Sequence, residues 1–253
     1  SGGRVLMGST MVVIVAMACL RQLALHETSM GQQRMLDTVG MPLRQVLRDY
    51  VRNIRLTAQD RRVRLLLGVR LLAASATAIW ITYAMIYLAD KAAIGLPKSI
   101  LSAVPFVSAI ATILLLLLAS NRMRADHALG NLIVGQLLAI LASTLFVLSP
   151  RGTFWFAALW AVLNALGMGL FRPALRSSWA NIVPDKERAQ IFSVASTLES
   201  LCILPLGPVA GLLYTHSPRA PFALGLAIQL ITLGLIIGVQ RLGRATTAQA
   251  TNG

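Results

Sequence analysis

The stretch Ile100–Ala119, ILSAVPFVSAIATILLLLLA, runs for 20 residues without one charged side chain. A helix rises about 1.5 Å per residue, so about 20 apolar residues reach across a hydrocarbon core about 30 Å thick. Inside lipid every backbone N–H and C=O must be paired within the chain, which makes this stretch a transmembrane helix. Outward from it lie more segments of the same kind: Leu65–Ala89, Ala128–Leu148, Phe154–Phe171, Ile191–Tyr214 and Phe222–Val239. A shorter apolar run, Val5–Leu20, stands ahead of them between Arg4 and Arg21. Composition agrees: 56% of residues are hydrophobic, 13% are charged and the mean hydropathy is +0.70. Soluble domains carry about 25% charged residues, so most of this surface faces lipid. The expected fold is an all-α membrane protein.

The net charge of +14 would suggest nucleic acid in a soluble chain. Here the basic residues fall between the apolar runs and follow an alternating pattern. Rich connections are the stretch Arg21–Arg64, the loop with Arg122 and Arg124, the stretch Arg172–Gln190, and the tail with Arg241 and Arg244. Poor ones hold Lys91 and Lys98, then Arg151, then Arg219. The rich set is expected in the cytoplasm, with the first residues outside and the C-terminus inside, and no nucleic-acid partner is expected. The reading by domain is a helix at 1–20, a basic linker at 21–64, a six-helix bundle at 65–240 and a tail at 241–253. Within the linker, Met41–Gln59 places Leu43, Val46, Leu47, Tyr50, Val51 and Ile54 on one helical face and Arg44, Arg48, Arg52 and Arg55 on the other. That pattern predicts a helix lying along anionic headgroups.

Cys19 and Cys202 both lie in apolar runs, and His26, His127 and His216 are scattered through loops. No metal site, no cofactor site and no enzyme site is legible, and no glycine loop cradles a phosphate. The chemistry-bearing residues are in the helices. Glu199 is the acidic residue inside the apolar runs, eight residues beyond Ile191 and so about 12 Å deep. An ionisable side chain there costs at least a few kcal/mol and must face a cavity, the bundle interior or a basic partner. It reads as a proton-coupling carboxylate, or else as a structural glutamate held protonated or paired. Arg70 lies near a helix end, where its chain can reach the headgroups; pairing with Glu199 is the other option. Ser193, Ser196, Thr197, Ser200, Gly207 and Gly211 share one face of a single helical wheel, a stripe suited to close packing, with Ser196 and Ser200 as cavity candidates. Asn164 stands beside Gly167 and Gly169, placed for an inter-helix hydrogen bond or a substrate contact. Trp80, Tyr83 and Tyr87 recur at helical spacing; Trp80 and Tyr83 could line a cavity for an aromatic or cationic substrate, and Tyr87 fits an interfacial aromatic belt. Pro105, Pro205 and Pro208 are expected to kink their helices and serve as gate elements.

One helix, a long basic linker, six helices and a short tail resemble the major facilitator superfamily from its sixth helix onward. The loop Ala119-Ser120-Asn121-Arg122-Met123-Arg124-Ala125-Asp126 is similar to the cytoplasmic signature G-x-x-x-D-R-x-G-R-R. Arg122 and Arg124 match its basic positions, but its glycines are absent and Asn121 stands at the acidic position. Phe171-Arg172-Pro173 and Ala180–Arg188 resemble the loop before the eleventh helix, and Gly207-Pro208-Val209-Ala210-Gly211 resembles the G-P-x-x-G core of the antiporter motif. An N-terminal half could carry the same signature and G-P-x-x-G positions; the leading helix and the basic linker favour the C-terminal half. The resemblance implies two six-helix halves, so an N-terminal half of the same transporter is an expected partner, beside the lipid bilayer, protons and a small-molecule substrate. It implies secondary active transport in a bacterial inner membrane, with proton-coupled efflux as the specific form. A transport-inactive scaffold or sensor using the same half-fold is the alternative.

Overall fold

The chain divides into two units, Ser1–Asp49 and Tyr50–Gly253. A computed structural model describes residues 48, 60–119, 128–183 and 185–251. The expected first helix, the amphipathic helix apart from Arg48, and the Arg122–Arg124 signature lie outside these residues. Arg48 is helical and exposed.

The described part of the second unit is all helix: α1 Arg61–Ala89, α2 Lys98–Leu101, α3 Ala103–Ala119, α4 Ala128–Val147, α5 Phe154–Ile182, α6 Asp185–Ile203, α7 Leu206–His216 and α8 Ala220–Thr251. Among the described residues six spans are long and apolar enough to cross a bilayer, with α2 and α3 forming one span and α6 and α7 another. The all-α membrane bundle expected from the apolar runs is therefore present.

Local chemistry sets the ends. Asp60 caps α1, its carboxylate accepting the Arg62 N–H at 2.8 Å. At the other end Asp90 turns the chain by accepting the Ala92 N–H at 2.9 Å, and Gly95 takes φ 73°, a conformation that favours glycine. Gly152 does the same between α4 and α5 at φ 74°, and its N–H reaches Ile94 O at 2.7 Å, tying two connections together. At the opposite end Arg62 donates to Leu242 O, and Val63, Leu66, Trp179, Val183, Ile191 and Val239 form one cluster. The spans thus alternate in direction.

Two of the three proline expectations change. Pro105 is the third residue of α3, and Pro208 the third of α7. In a first turn the N–H has no intrahelical partner, so neither ring removes a bond. Pro205 does break its span: Leu204 and Pro205 form a turn between α6 and α7. The proline inside a helix is Pro173, because α5 runs on to Ile182 where the charge pattern suggested a loop from Arg172.

The helices are held by close approach rather than by a hydrophobic force, since lipid is as apolar as leucine. At the α4–α5 crossing, a Cβ on Gly135 would lie 2.8 Å from Gly167 O, and one on Gly167 would lie 2.9 Å from Gly135 O. Gln136 adds a buried hydrogen bond from α4 to Gln229 O on α8 at 2.9 Å. Near the Gly95 end, Trp80, Tyr87, Phe146, Trp160 and Phe222 form an aromatic core with ring centroids 4.5–5.9 Å apart. Tyr87, only 1% exposed, is part of that core and not of a lipid-facing belt. Its hydroxyl accepts from Arg219 Nε at 3.3 Å.

Candidate functional site

Three helices supply stripes of small, polar or basic residues to one cleft of about 870 Å³. On α1 these are Arg70, Ala73, Ala74, Thr77, Ala78, Ile81 and Thr82; on α5 they are Met168, Phe171, Arg172, Leu175, Arg176 and Trp179. α6 adds Phe192, Glu199 and Ile203. Each set repeats at three- and four-residue steps, the spacing that keeps side chains on one helical face. The alanines of α1 leave the space, and the arginines and Glu199 give it charge.

The centre of the cleft is an ion pair. Arg70 Nε donates to Glu199 Oε2 at 2.9 Å, with the two side chains 18% and 30% exposed. Arg70 Nη2 also donates to Ser196 Oγ at 2.8 Å, and the guanidinium carbon lies 5.5 Å from the Phe192 ring centroid. Ser196 in turn donates to Phe192 O at 2.9 Å, which aims its lone pairs at Arg70. The snorkelling expected of Arg70 is therefore replaced by pairing: Glu199, Ser196 and the Phe192 face offer the guanidinium more than a headgroup does. Arg70 is the tenth residue of α1, and Arg172 lies ten residues before the end of α5, each about 14–15 Å from the same end of the bundle.

Arg172 and Arg176 stand one turn apart on α5 and are both exposed. Among the described side chains neither makes an ion pair, so two of the three guanidiniums that line the cleft have no carboxylate partner among them. Sequence reasoning placed both in a loop, although their spacing with Phe171 and Leu175 already marks one helical face. Phe192 and Thr77 were missed as well, since an aromatic and a threonine in an apolar run look like packing.

A second cavity of about 380 Å³ shares Thr77, Ile81, Met168 and Arg172 with the first. It is lined further by Trp80, Ser108, Thr112, Asn164 and Gln229. Asn164 thus reaches a cavity, and Trp80 borders it while packed in the aromatic core at 7% exposure. Tyr83 lines neither cavity: its hydroxyl donates to Gly207 O at 2.9 Å and its ring stacks on Tyr214 at 5.8 Å. Gly211 lies under that hydroxyl, 3.0 Å from where a Cβ would stand. Ser200 donates to Ser196 O at 3.1 Å within α6. The small-residue stripe does not continue from Ser200 to Gly207, because the turn at Pro205 resets the wheel. Ser193, Ser196, Thr197 and Ser200 are exposed instead of closely packed. The α6–α7 span is the least enclosed, 6% buried against 39% for α4. α7 is held by Tyr83 and by Tyr214, whose hydroxyl donates to Asp90 Oδ2 at 2.8 Å. Among the described residues no three His, Cys, Asp or Glu side chains gather to hold a metal ion.

Sequence comparison places the chain beside one class of membrane protein. The chain is similar to an MFS-type transporter. The "Uncharacterized MFS-type transporter YhjO" of Bacillus subtilis (strain 168) is 33% identical over 151 residues, covering 57% of this chain and 35% of that protein. The aligned part therefore spans about a third of the relative's length. No family model matches the chain.

Proposed function

We propose that this chain is part of a major facilitator secondary transporter that carries a small molecule through the Arg70–Glu199 cleft, coupled to protons and directed outward. The observation that carries the reading is the ion pair itself: Arg70, the tenth residue of α1, meets Glu199, within the Ile191–His216 span, in an 870 Å³ cleft. Ionisable groups at such depth mark substrate or proton paths. Neutralising Glu199 removes the charge that draws Arg70 to α6, so a proton at Glu199 weakens the link between two spans that border the cleft. α6 is suited to respond, because it is lightly packed and breaks at Pro205. Pro205, Gly207, Pro208 and Gly211 then belong to a gate segment. The outward direction rests on the G-P-x-x-G segment, and the likeness to an MFS-type transporter supports the class. In this reading the arginine-rich end faces the cytoplasm of a bacterial inner membrane, and the transport path is completed by the N-terminal half of the same protein.

The test is Glu199→Gln in the intact protein, assayed in vesicles with an imposed pH gradient beside a thermal melt. Glutamine keeps the shape and a hydrogen-bond acceptor for Arg70 but exchanges no proton. Loss of gradient-driven transport with a melt lowered by only about 2–4 °C is expected. Gradient-driven transport at the wild-type rate would sink the coupling role.

A further inference from the structure

We infer that the cleft is an anion site: it takes a small organic acid, a carboxylate or phosphate attached to an apolar body. The inference deepens the transport reading by naming the substrate's chemistry, and it rests on that reading.

The argument is one of charge and shape. Three guanidiniums and one carboxylate line the cleft, and Glu199 is spent on Arg70. Arg172 and Arg176 remain, without an ion-pair partner among the described residues. Four residues apart on one helix, their Cβ atoms lie about 5–6 Å from each other, close enough for both side chains to reach one anionic group. Guanidinium forks match carboxylate and phosphate oxygens in pairs, and such bonds are shorter and stronger than neutral ones. Apart from Thr77 and Thr82 the rest of the lining is apolar, with Ile81, Met168, Phe171, Leu175 and Ile203 among it. A volume of about 870 Å³ falls within the range of sites for drug-sized ligands. A cation would meet two arginines that have no ion-pair partner among the described residues.

Anionic lipid headgroups share the phosphate chemistry and could reach an exposed arginine from the bilayer, so the experiment separates the two sources. The intact protein is placed in nanodiscs of zwitterionic phosphatidylcholine, and the binding of phenyl phosphate, benzoate, benzamide and benzylamine is followed by calorimetry. Phenyl phosphate and benzoate are expected to bind and the neutral and cationic analogues to bind at least about 10-fold more weakly, the discrimination one charge-assisted hydrogen bond supplies. Arg172→Gln should weaken phenyl phosphate about 10-fold or more, with Arg172→Lys and Arg176→Gln falling between it and the wild type. Should Arg172→Gln fail to fold, the lysine variant and the ligand series on the wild type still decide. Equal binding of benzoate and benzylamine overturns the inference. So does phenyl phosphate binding that disappears when phosphatidylglycerol enters the disc, because the arginines then serve lipid. Binding is read at equilibrium, without transport. Anion binding through Arg172 in a protein that transports nothing would overturn the transport reading alone, and transport of molecules that ignore Arg172 would overturn the anion site alone.

Discussion

A double-mutant cycle on Arg70 and Glu199 measures how much the central ion pair contributes. At 2.9 Å with side chains 18% and 30% exposed, the pair lies between two regimes. Exposed pairs contribute about 0.2–1 kcal/mol, and breaking a fully buried one costs about 3–5 kcal/mol. Glu199→Gln should cost about 1 kcal/mol, because the amide oxygen still accepts from Arg70 and the charge-assisted part alone is lost. Arg70→Met should cost more, about 2–3 kcal/mol. It strips the hydrogen bond to Ser196 and the contact with Phe192, and it leaves the Glu199 carboxylate partly buried without a partner. In the double variant that orphaned charge is gone. The two costs should therefore fall short of adding by about 1–2 kcal/mol, well above the scatter of about 0.5 kcal/mol seen for independent sites. Denaturant unfolding of the intact protein in detergent micelles supplies all four free energies. Additivity within that scatter would refute the pairing as an energetic link, whatever the distance between the two groups.

Gly167→Leu should destabilise by about 2–3 kcal/mol through overpacking, since even a Cβ at this crossing lies 2.9 Å from Gly135 O; a melt unchanged from wild type would count against the close α4–α5 approach. Asp90 carries a pH signature. The Ala92 N–H and the Tyr214 hydroxyl donate to its carboxylate and hold its pKa below the ordinary value. A lowered folded pKa means stability that is present above the unfolded carboxylate range and lost as pH falls through the folded value. The melting advantage of the wild type over Asp90→Asn should hold from neutral pH to about pH 5 and shrink on further acidification; an advantage that grows in acid contradicts the sign. Cysteines introduced at Lys98 and at Lys186 should react from outside at Lys98 only, as the arginine alternation requires; labelling at Lys186 alone reverses the topology.

The six described spans were legible because crossing lipid demands long apolar runs. Their ends were less so. Arg172 and Arg176 looked like a loop because charge was taken as leaving the membrane, yet α5 at 29 residues is about 43 Å long and overruns a core of about 30 Å. A helix that outlasts the bilayer keeps its basic residues on a helical face, and that face lines the cleft. Proline was misread for a related reason. Pro105 and Pro208 fall in first turns, where the missing N–H costs nothing, and only the structure shows where a turn begins.

The candidate site was half legible. Glu199 stood out because an acid within an apolar run has few reasons to exist, and its neighbour Ser196 was named with it. Its partner was not fixed, since periodicity assigns a face to Arg70 but says nothing about which helix lies opposite. That choice is made by tertiary packing, where α1 meets both α6 and α8. The small-residue stripe failed because a wheel drawn from Ser193 to Gly211 assumes one unbroken helix, and Pro205 divides it. What the division leaves is informative in itself. α6 carries Glu199 and a row of exposed serines and threonine, while α7 is tied by Tyr83 and by the Tyr214–Asp90 bond to the far end of α1. The two halves of one span are thus anchored to α1 by different chemistry at different depths, an ion pair at one and tyrosine hydroxyls at the other. In the proposed mechanism a change of charge at Glu199 would act on the first anchor and leave the second in place, so that α6 would move against α7 at the Pro205 turn without the span leaving the bundle.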